Sequence, residues 1–326
     1  MTRCLVTGST GYIGSRLVVQ LVRAGHEVAA SARDVDKLAA FDWPDDVPAV
    51  ELDVSDPASC DRAFAEAGPV EVAYFLVHSI GEGDFAEHDL ESARQFAAAA
   101  HRAGVRRLVY LGGFVPQQEE LSEHLESRAD VGDALGEAGV ELVWLRAAIV
   151  LGGGSTSYEL VRHIADRVPV VPLPTWMRHP VSPIAVSDVL RHLVAAAERD
   201  VLPAGAYDVS NGEDPSYADL IKAYAADAGL RRLWVPMPPV PARLVAAIAS
   251  RLTPLPHELA ADLIMSLPNS MASHDHRITD FVPDPPGGPV TVRDALHRAR
   301  TGGVAVGVWA SADPLHRADT DPDWSA

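Results

Sequence analysis

Three glycines, Gly8, Gly11 and Gly14, stand at three-residue intervals in Thr7-Gly8-Ser9-Thr10-Gly11-Tyr12-Ile13-Gly14, just behind a short apolar run and ahead of apolar residues at helical spacing. That pattern has a chemical use. Gly8 permits a tight turn, Gly11 lets the backbone approach a diphosphate, and Gly14 lets a helix pack closely on a strand, while the helix N-terminus aims N–H groups at the anion. Gly8, Ser9, Thr10, Gly11, Tyr12, Ile13 and Gly14 are therefore the first candidate nucleotide contacts. The second strand ends at Ala32, where a strand–glycine turn–helix unit that binds NAD carries a carboxylate for the ribose; here Arg33 follows, and its fork of donors suits a 2′-phosphate. Arg33 thus points to NADP(H), with Lys37 near enough to add charge, and NAD held by Asp34 is the competing reading.

Other residues could meet a substrate. His78 and Ser79 close the fourth strand on the nicotinamide side of such a crevice, so Leu76, Val77 and His78 are expected beside the cofactor, and His78 and Ser79 could also meet substrate. Tyr158 and Arg162 are one helical turn apart, and Trp176, Arg178 and His179 lie in a proline-rich stretch. These residue types serve equally well as packing or surface. His274, Asp275 and His276 resemble a metal cluster only on paper, since nothing fixes further ligands beside them, and no metal is expected. A Gly-x-Ser-x-Gly nucleophile elbow does not occur, so serine hydrolysis has no support.

Regular elements must hold these groups. Strands are predicted at Arg3–Thr7, Glu27–Ala32, Ala49–Leu52, Val72–Val77, Arg107–Leu111 and Glu141–Arg146, alternating with helical stretches such as Ile13–Ala24 and Asp84–Ala103. Asp56 and Pro57 read as the cap and first turn of another helix. The expectation is an α/β chain: a Rossmann-type doubly wound parallel sheet over residues 1–150 and a smaller α/β substrate lobe over 151–300, interleaved with the first. Residues 301–326, with little apolar periodicity, are expected as a flexible tail.

Bulk properties narrow the function classes. With 326 residues, 48% of them hydrophobic, the chain can bury a large core. Its formal net charge of −18 and scattered arginines argue against nucleic acid as a partner. No apolar run is long enough to span a bilayer, and Met1 to Thr7 show no export leader, so the expectation is a cytoplasmic protein acting on a small molecule. The monomer and the homodimer stay equally open. Cys4 and Cys60 lack metal or disulfide spacing and read as structural thiols.

Thr7 to Gly14 resembles the TGxxGxxG fingerprint of short-chain dehydrogenases/reductases, in the spacing of the extended and atypical, NmrA-like branches. Later landmarks keep the order: Asp53-Val54, Val109-Tyr110-Leu111, Leu145-Arg146 and Ser182 to Val189. Tyr74 to Ser79 and Gly152 to Ser157 look like an atypical NAD(P)H-binding subgroup. The resemblance implies that Asp53 and Val54 border the adenine, although Asp53 also suits a cap on the turn at Ser55. Gly112 is placed beside the cofactor, and Ser79, Tyr158 and Trp176 toward the substrate.

Working members of that family use a Tyr with a Lys four residues on, and no tyrosine here has one. In register stand His124 and Arg128, with Gly112-Gly113 where a serine is usual. On one reading Arg128 holds an oxyanion and His124, with an ordinary pKa near about 6.5, moves the proton. On the other, both are exposed helix residues among Glu120, Glu123 and Glu126. The implied activity is an atypical NADP(H)-dependent oxidoreductase for a small apolar carbonyl, enone or quinone. A non-catalytic nucleotide sensor of the NmrA-like kind, and an epimerase or dehydratase of the sugar-nucleotide type, are the alternatives.

Overall fold

A computed structural model describes residues 1–78, 85–114, 123–273 and 275–325, without the side chains of 85, 123, 124, 248, 250 and 252. The first half alternates β1 (Arg3–Val6), α1 (Tyr12–Arg23), β2 (Glu27–Ala32), β3 (Ala49–Glu51), α2 (Pro57–Ala67), β4 (Val72–Phe75), α3 (Phe85–Arg102), β5 (Arg107–Gly113), α4 (Glu123–Gly136) and β6 (Glu141–Ala147). The second half adds β7 (Ile149–Leu151), α5 (Thr156–Arg167), β8 (Val170–Leu173), β9 (Pro183–Ala185), α6 (Val186–Ala195), β10 (Gly205–Val209), α7 (Tyr217–Asp227) and β11 (Leu233–Pro236). It ends in α8 (Ala242–Leu252), α9 (His257–Ser266), α10 (Val292–Thr301), β12 (Val304–Ala305) and β13 (Arg317–Ala318).

Seven strands form one parallel sheet in the order β10-β6-β5-β4-β1-β2-β3. Strand side chains alternate between faces, and here both faces are covered. Cys4, Val6, Val72 and Tyr74 pack toward Leu17, Val18 and Leu21 of α1 and Leu193 of α6. Leu5, Ala73 and Phe75 pack toward Phe64 of α2, Phe96 of α3 and Leu135 of α4. A sheet buried on both faces explains why its strands read as continuous apolar runs. Asp56 caps α2 by accepting from the Ala58 amide, with Pro57 in the first turn. Six strands alternate as expected, and Gly205–Val209 returns as a seventh at the β6 edge. Pro183–Ala185 pairs instead with β7, outside that sheet.

The last residues correct an expectation. Read as a flexible tail, they are docked along α1. Arg16 and Asp321 form a bidentate ion pair, 2.6 and 2.7 Å, with side chains only 4% and 3% exposed. Arg16 also donates to the carbonyls of Pro314 and His316, and Asp42 accepts from the amides of Trp309 and Ala310. The segment is held by charge and backbone hydrogen bonds more than by an apolar stripe, so hydrophobic periodicity does not register it.

Candidate nucleotide and substrate site

The chain order reverses between β1 and β4, which is where a doubly wound sheet opens a crevice at its C-terminal edge. The glycine turn sits there. Gly8 has φ +62°, a region that favours glycine, and a Cβ on it would stand 3.0 Å from the Leu76 carbonyl oxygen. A Cβ on Gly14 would lie 2.2 Å from the Gly8 carbonyl oxygen, so the helix is seated on the turn as closely as backbone allows. Gly11 caps α1 without a side-chain acceptor, leaving the N–H groups of the first turn to an outside anion. These features fit a diphosphate.

Thr7 latches β1 to β4: its amide donates to the Tyr74 carbonyl and its hydroxyl accepts from the Leu76 amide, 3.1 and 2.9 Å. Ser9 works from within. Its hydroxyl donates to the Val6 carbonyl at 2.8 Å and accepts from the Ser31 amide at 3.1 Å, while its own amide donates to the Ser31 carbonyl. The buried Ser9 side chain therefore braces the turn against β2 and does not face a ligand, which corrects its assignment as a contact.

A cavity of about 270 Å³ runs from this turn. Gly8, Gly11, Tyr12, Ile13, Gly14, Leu76, His78 and Gly112 line it, together with Gly113 and Arg128. Thr10, Val54, Val77, Arg33 and Asp53 are outside its walls. Arg33 is exposed at the end of β2, while Asp34 caps the following turn by accepting from the Asp36 amide. The Asp53 carboxylate accepts from the Ser55 hydroxyl at 2.7 Å and the Ser55 amide at 3.0 Å. That hydroxyl bond, with Arg33 nearby, holds it below the usual carboxylate range.

Arg128 is half-buried against Gly113, where a Cβ would meet its Cδ at 3.3 Å. Among the described residues no carboxylate is paired with its guanidinium, and no Asp or Glu lines the cavity. His124 is one turn earlier on α4 and its side chain is outside the described residues, as is all of Ser79. His78 sits at the cavity lip, exposed on one side; the protein atoms crowded around its ring, then the Arg128 charge, disfavour the protonated imidazole.

The far wall comes from the second half of the chain. Ser155 caps α5, accepting from the Tyr158 amide at 3.3 Å and donating to the Val150 carbonyl at 2.9 Å, and this turns Thr156 and Ser157 toward the cavity. Leu259, Leu263 and Leu267 line it at four-residue intervals on and just after α9, with Ser266, Met271 and Tyr217 beside them. Two expected substrate contacts are elsewhere. Tyr158 is 2% exposed and packs edge-on against Tyr224, and Trp176 is buried with its indole N–H on the Val240 carbonyl. Both are core residues. Tyr158, Val161 and Ala165 recur at i, i+3 and i+7, the stripe that marks an inward helix face and that distinguishes packing from chemistry. The Leu259, Leu263, Leu267 repeat was equally visible, but it does not say what the stripe faces.

His274 is outside the described residues, and the Asp275 carboxylate is taken by Arg277 at 2.7 Å. Among the described residues no group of His, Cys, Asp and Glu is arranged to hold a metal, and no helix is long and apolar enough to cross a membrane. Cys4 and Cys60 are buried thiols, each pushed up to about 12 by burial first.

Comparison with known proteins agrees with this geometry. The model of a family described as NAD(P)H-binding matches residues 8–163. The chloroplastic divinyl chlorophyllide a 8-vinyl-reductase of Zea mays is 40% identical over 129 residues, 37% of this chain and 32% of that protein. A UDP-glucose 4-epimerase of Neisseria meningitidis serogroup C is 28% identical over 142 residues, 37% of this chain and 42% of that protein. The matched stretches thus span less than half of these relatives. A nucleoside-diphosphate-sugar epimerase from Staphylococcus aureus superposes with TM-score 0.70 at 16% identity, over 91% of this chain and 100% of that one. UDP-glucose 4-epimerase from Thermotoga maritima gives TM-score 0.67 at 16% identity, over 91% and 97%. Residues 8–163 are thus similar to an NAD(P)H-binding family, and along most of its length the chain has the fold seen in nucleotide-sugar epimerases.

Proposed function

We propose that the chain is an NADPH-dependent reductase of a small, largely apolar carbonyl, enone or quinone. One observation carries this reading: a cavity joins a bare helix N-terminus to a leucine-lined wall and, among the described residues, the Arg128 guanidinium between them has no carboxylate partner and no carboxylate lines the space. When bound, the nicotinamide supplies a hydride. The first turn of α1 holds the diphosphate, and Arg33 takes the 2′-phosphate, since Asp34 is committed to its cap. The Arg128 guanidinium stabilises negative charge developing on the substrate oxygen. His124, one turn before it, supplies the proton, while His78 borders the reacting end. The leucine wall excludes water and selects apolar bodies. The partial likeness to a vinyl reductase supports reduction of a conjugated acceptor.

The test is stopped-flow mixing with NADPH and a panel of quinones, enones and aldehydes. NADPH oxidation above the buffer rate is expected with at least one acceptor, and oxidation no faster than buffer across the panel overturns the reading. Arg128→Ala should lower kcat by about 100-fold, the scale of losing one oxyanion donor; unchanged turnover would clear it. The missing Tyr-x-x-x-Lys pair favours one second reading, a cofactor-dependent sensor. Pull-downs with and without NADPH separate the two, because a sensor exchanges partners with cofactor state.

A further inference from the structure

The far wall holds a hydroxyl that the fold leaves unused. Tyr217 opens α7, is 3% exposed and lines the cavity. Among the described residues its hydroxyl, closed off from solvent, has no hydrogen-bond partner. Two other hydroxyls of that wall are turned to backbone: Ser155 donates to the Val150 carbonyl and Ser266 to the Leu263 carbonyl. Neighbouring contacts fix where Tyr217 starts its helix. The Ser216 and Asp219 side chains form a reciprocal capping box around it, and Ser216 bridges Pro180 while Met271 bridges the adjacent Val181. Tyr217 and Met271 are thereby brought to the same end of the cavity.

A buried phenol without a partner costs about 1–3 kcal/mol relative to a satisfied one, and a phenylalanine would fill the same space without that cost. We propose that the Tyr217 hydroxyl donates a hydrogen bond to an oxygen of the substrate, so that the apolar end of the cavity selects molecules carrying one accepting oxygen on an otherwise hydrocarbon body. The proposal rests on the cavity being the substrate site, as the reductase reading requires, but not on any reduction taking place. A site built to hydrogen-bond a substrate rejects the analogue lacking that group far better than an apolar pocket rejects a change of size.

Binding of cyclohexanone and of methylenecyclohexane, near-isosteric molecules differing in the accepting oxygen, tests it without turnover. Both are titrated by ligand-observed NMR into the full chain with NADPH present, wild type against Tyr217→Phe, and thermal melts of both proteins are recorded. Wild type should bind the ketone about 10-fold tighter, and Y217F should lose that preference while keeping its affinity for the hydrocarbon. Equal binding of the two probes by wild type, binding of neither, or a ketone preference that survives in Y217F overturns the proposal. A surviving preference with a raised Tm in Y217F would identify the phenol as a mere buried orphan. Loss of the preference in a protein that oxidises no NADPH with any acceptor would uphold this contact while removing the reductase.

Discussion

The two ends of the cavity are made of different material. At the nucleotide end the chain works with backbone: Gly8, Gly11 and Gly14 withhold side chains so that amides and one carbonyl come within contact distance. At the far end it works with side chains, Leu259, Leu263, Met271 and Tyr217, contributed by segments far apart in the sequence. A backbone site tolerates no added atoms, whereas a side-chain wall can change residue by residue and keep its shape. The first end can thus be shared among proteins of many activities while the second decides what is bound.

The sharpest way to break this contrast is to add atoms at the backbone end. Gly14→Val should abolish dinucleotide binding, weakening it by 100-fold or more by calorimetry, on the order of 3 kcal/mol, because a Cβ there would lie 2.2 Å from the Gly8 carbonyl oxygen. The equivalent insult at the far wall, Leu263→Ala, should leave nucleotide affinity alone. Equal losses from both would show that the two ends are not separable.

The same contrast explains what was legible in the sequence. The glycine turn is local, so eight consecutive residues carry its whole meaning, and the parallel strands announce themselves because both faces of the sheet are buried. Arg33, Asp53 and the Asp56 cap are equally local and stand where strand endings place them. The far wall is a product of tertiary packing. Nothing adjacent to Tyr217 marks it as a cavity residue, and Pro180, which bridges its neighbour Ser216, is remote in sequence. Tyr158 and Trp176 show the converse: residue types suited to chemistry, spent on the core. The docked tail depends on an ion pair between residues 305 positions apart, which no window of sequence contains.

That tail belongs to the nucleotide end, and removing its anchor tests the same end through stability, with an effect of comparable size. Arg16 lies 4.0 Å over the ring of Tyr12, a cavity residue, and the Gly153 amide donates to the Leu315 carbonyl beside the Gly/Ser loop. Asp321→Ala leaves a buried guanidinium without its carboxylate and should cost about 3–5 kcal/mol in denaturant unfolding. Nucleotide affinity should fall with it, since Tyr12 loses its support. A stability loss below about 1 kcal/mol would mean that water replaces the carboxylate and the tail is only loosely held.

Acid should loosen the molecule through imidazoles buried neutral. His163 on α5, hydrogen-bonded to the Trp324 carbonyl at 3.2 Å, is pushed down to about 4, and His192 on α6 to about 3, by burial first and by the neighbouring arginines second. Their ordinary pKa is near about 6.5, so below that pH the unfolded chain binds protons that the folded one refuses. Stability is therefore complete above about pH 6.5 and falls as pH drops toward the two folded values, by about 1 kcal/mol per pH unit for each imidazole. Melting curves at pH 7 and pH 5 should differ by several degrees, and His192→Leu should reduce the difference. Identical Tm values at the two pH values would contradict neutral burial.

The smallest effect should come from Arg33, because it is a side-chain determinant attached to the backbone end. It is exposed, its neighbours Asp34 and Asp53 are carboxylates committed to their own turns, and the exposed Lys37 is left to share a phosphate with it. Arg33→Ala should weaken NADPH by about 10-fold, near 1.4 kcal/mol for one partly solvated charged contact, and leave NADH unchanged. The loss should shrink with added salt, because an exposed guanidinium and a phosphate are screened together. Equal weakening of both nucleotides would assign Arg33 to the shared part of the cofactor, and the backbone end would then carry no discrimination between them at this position.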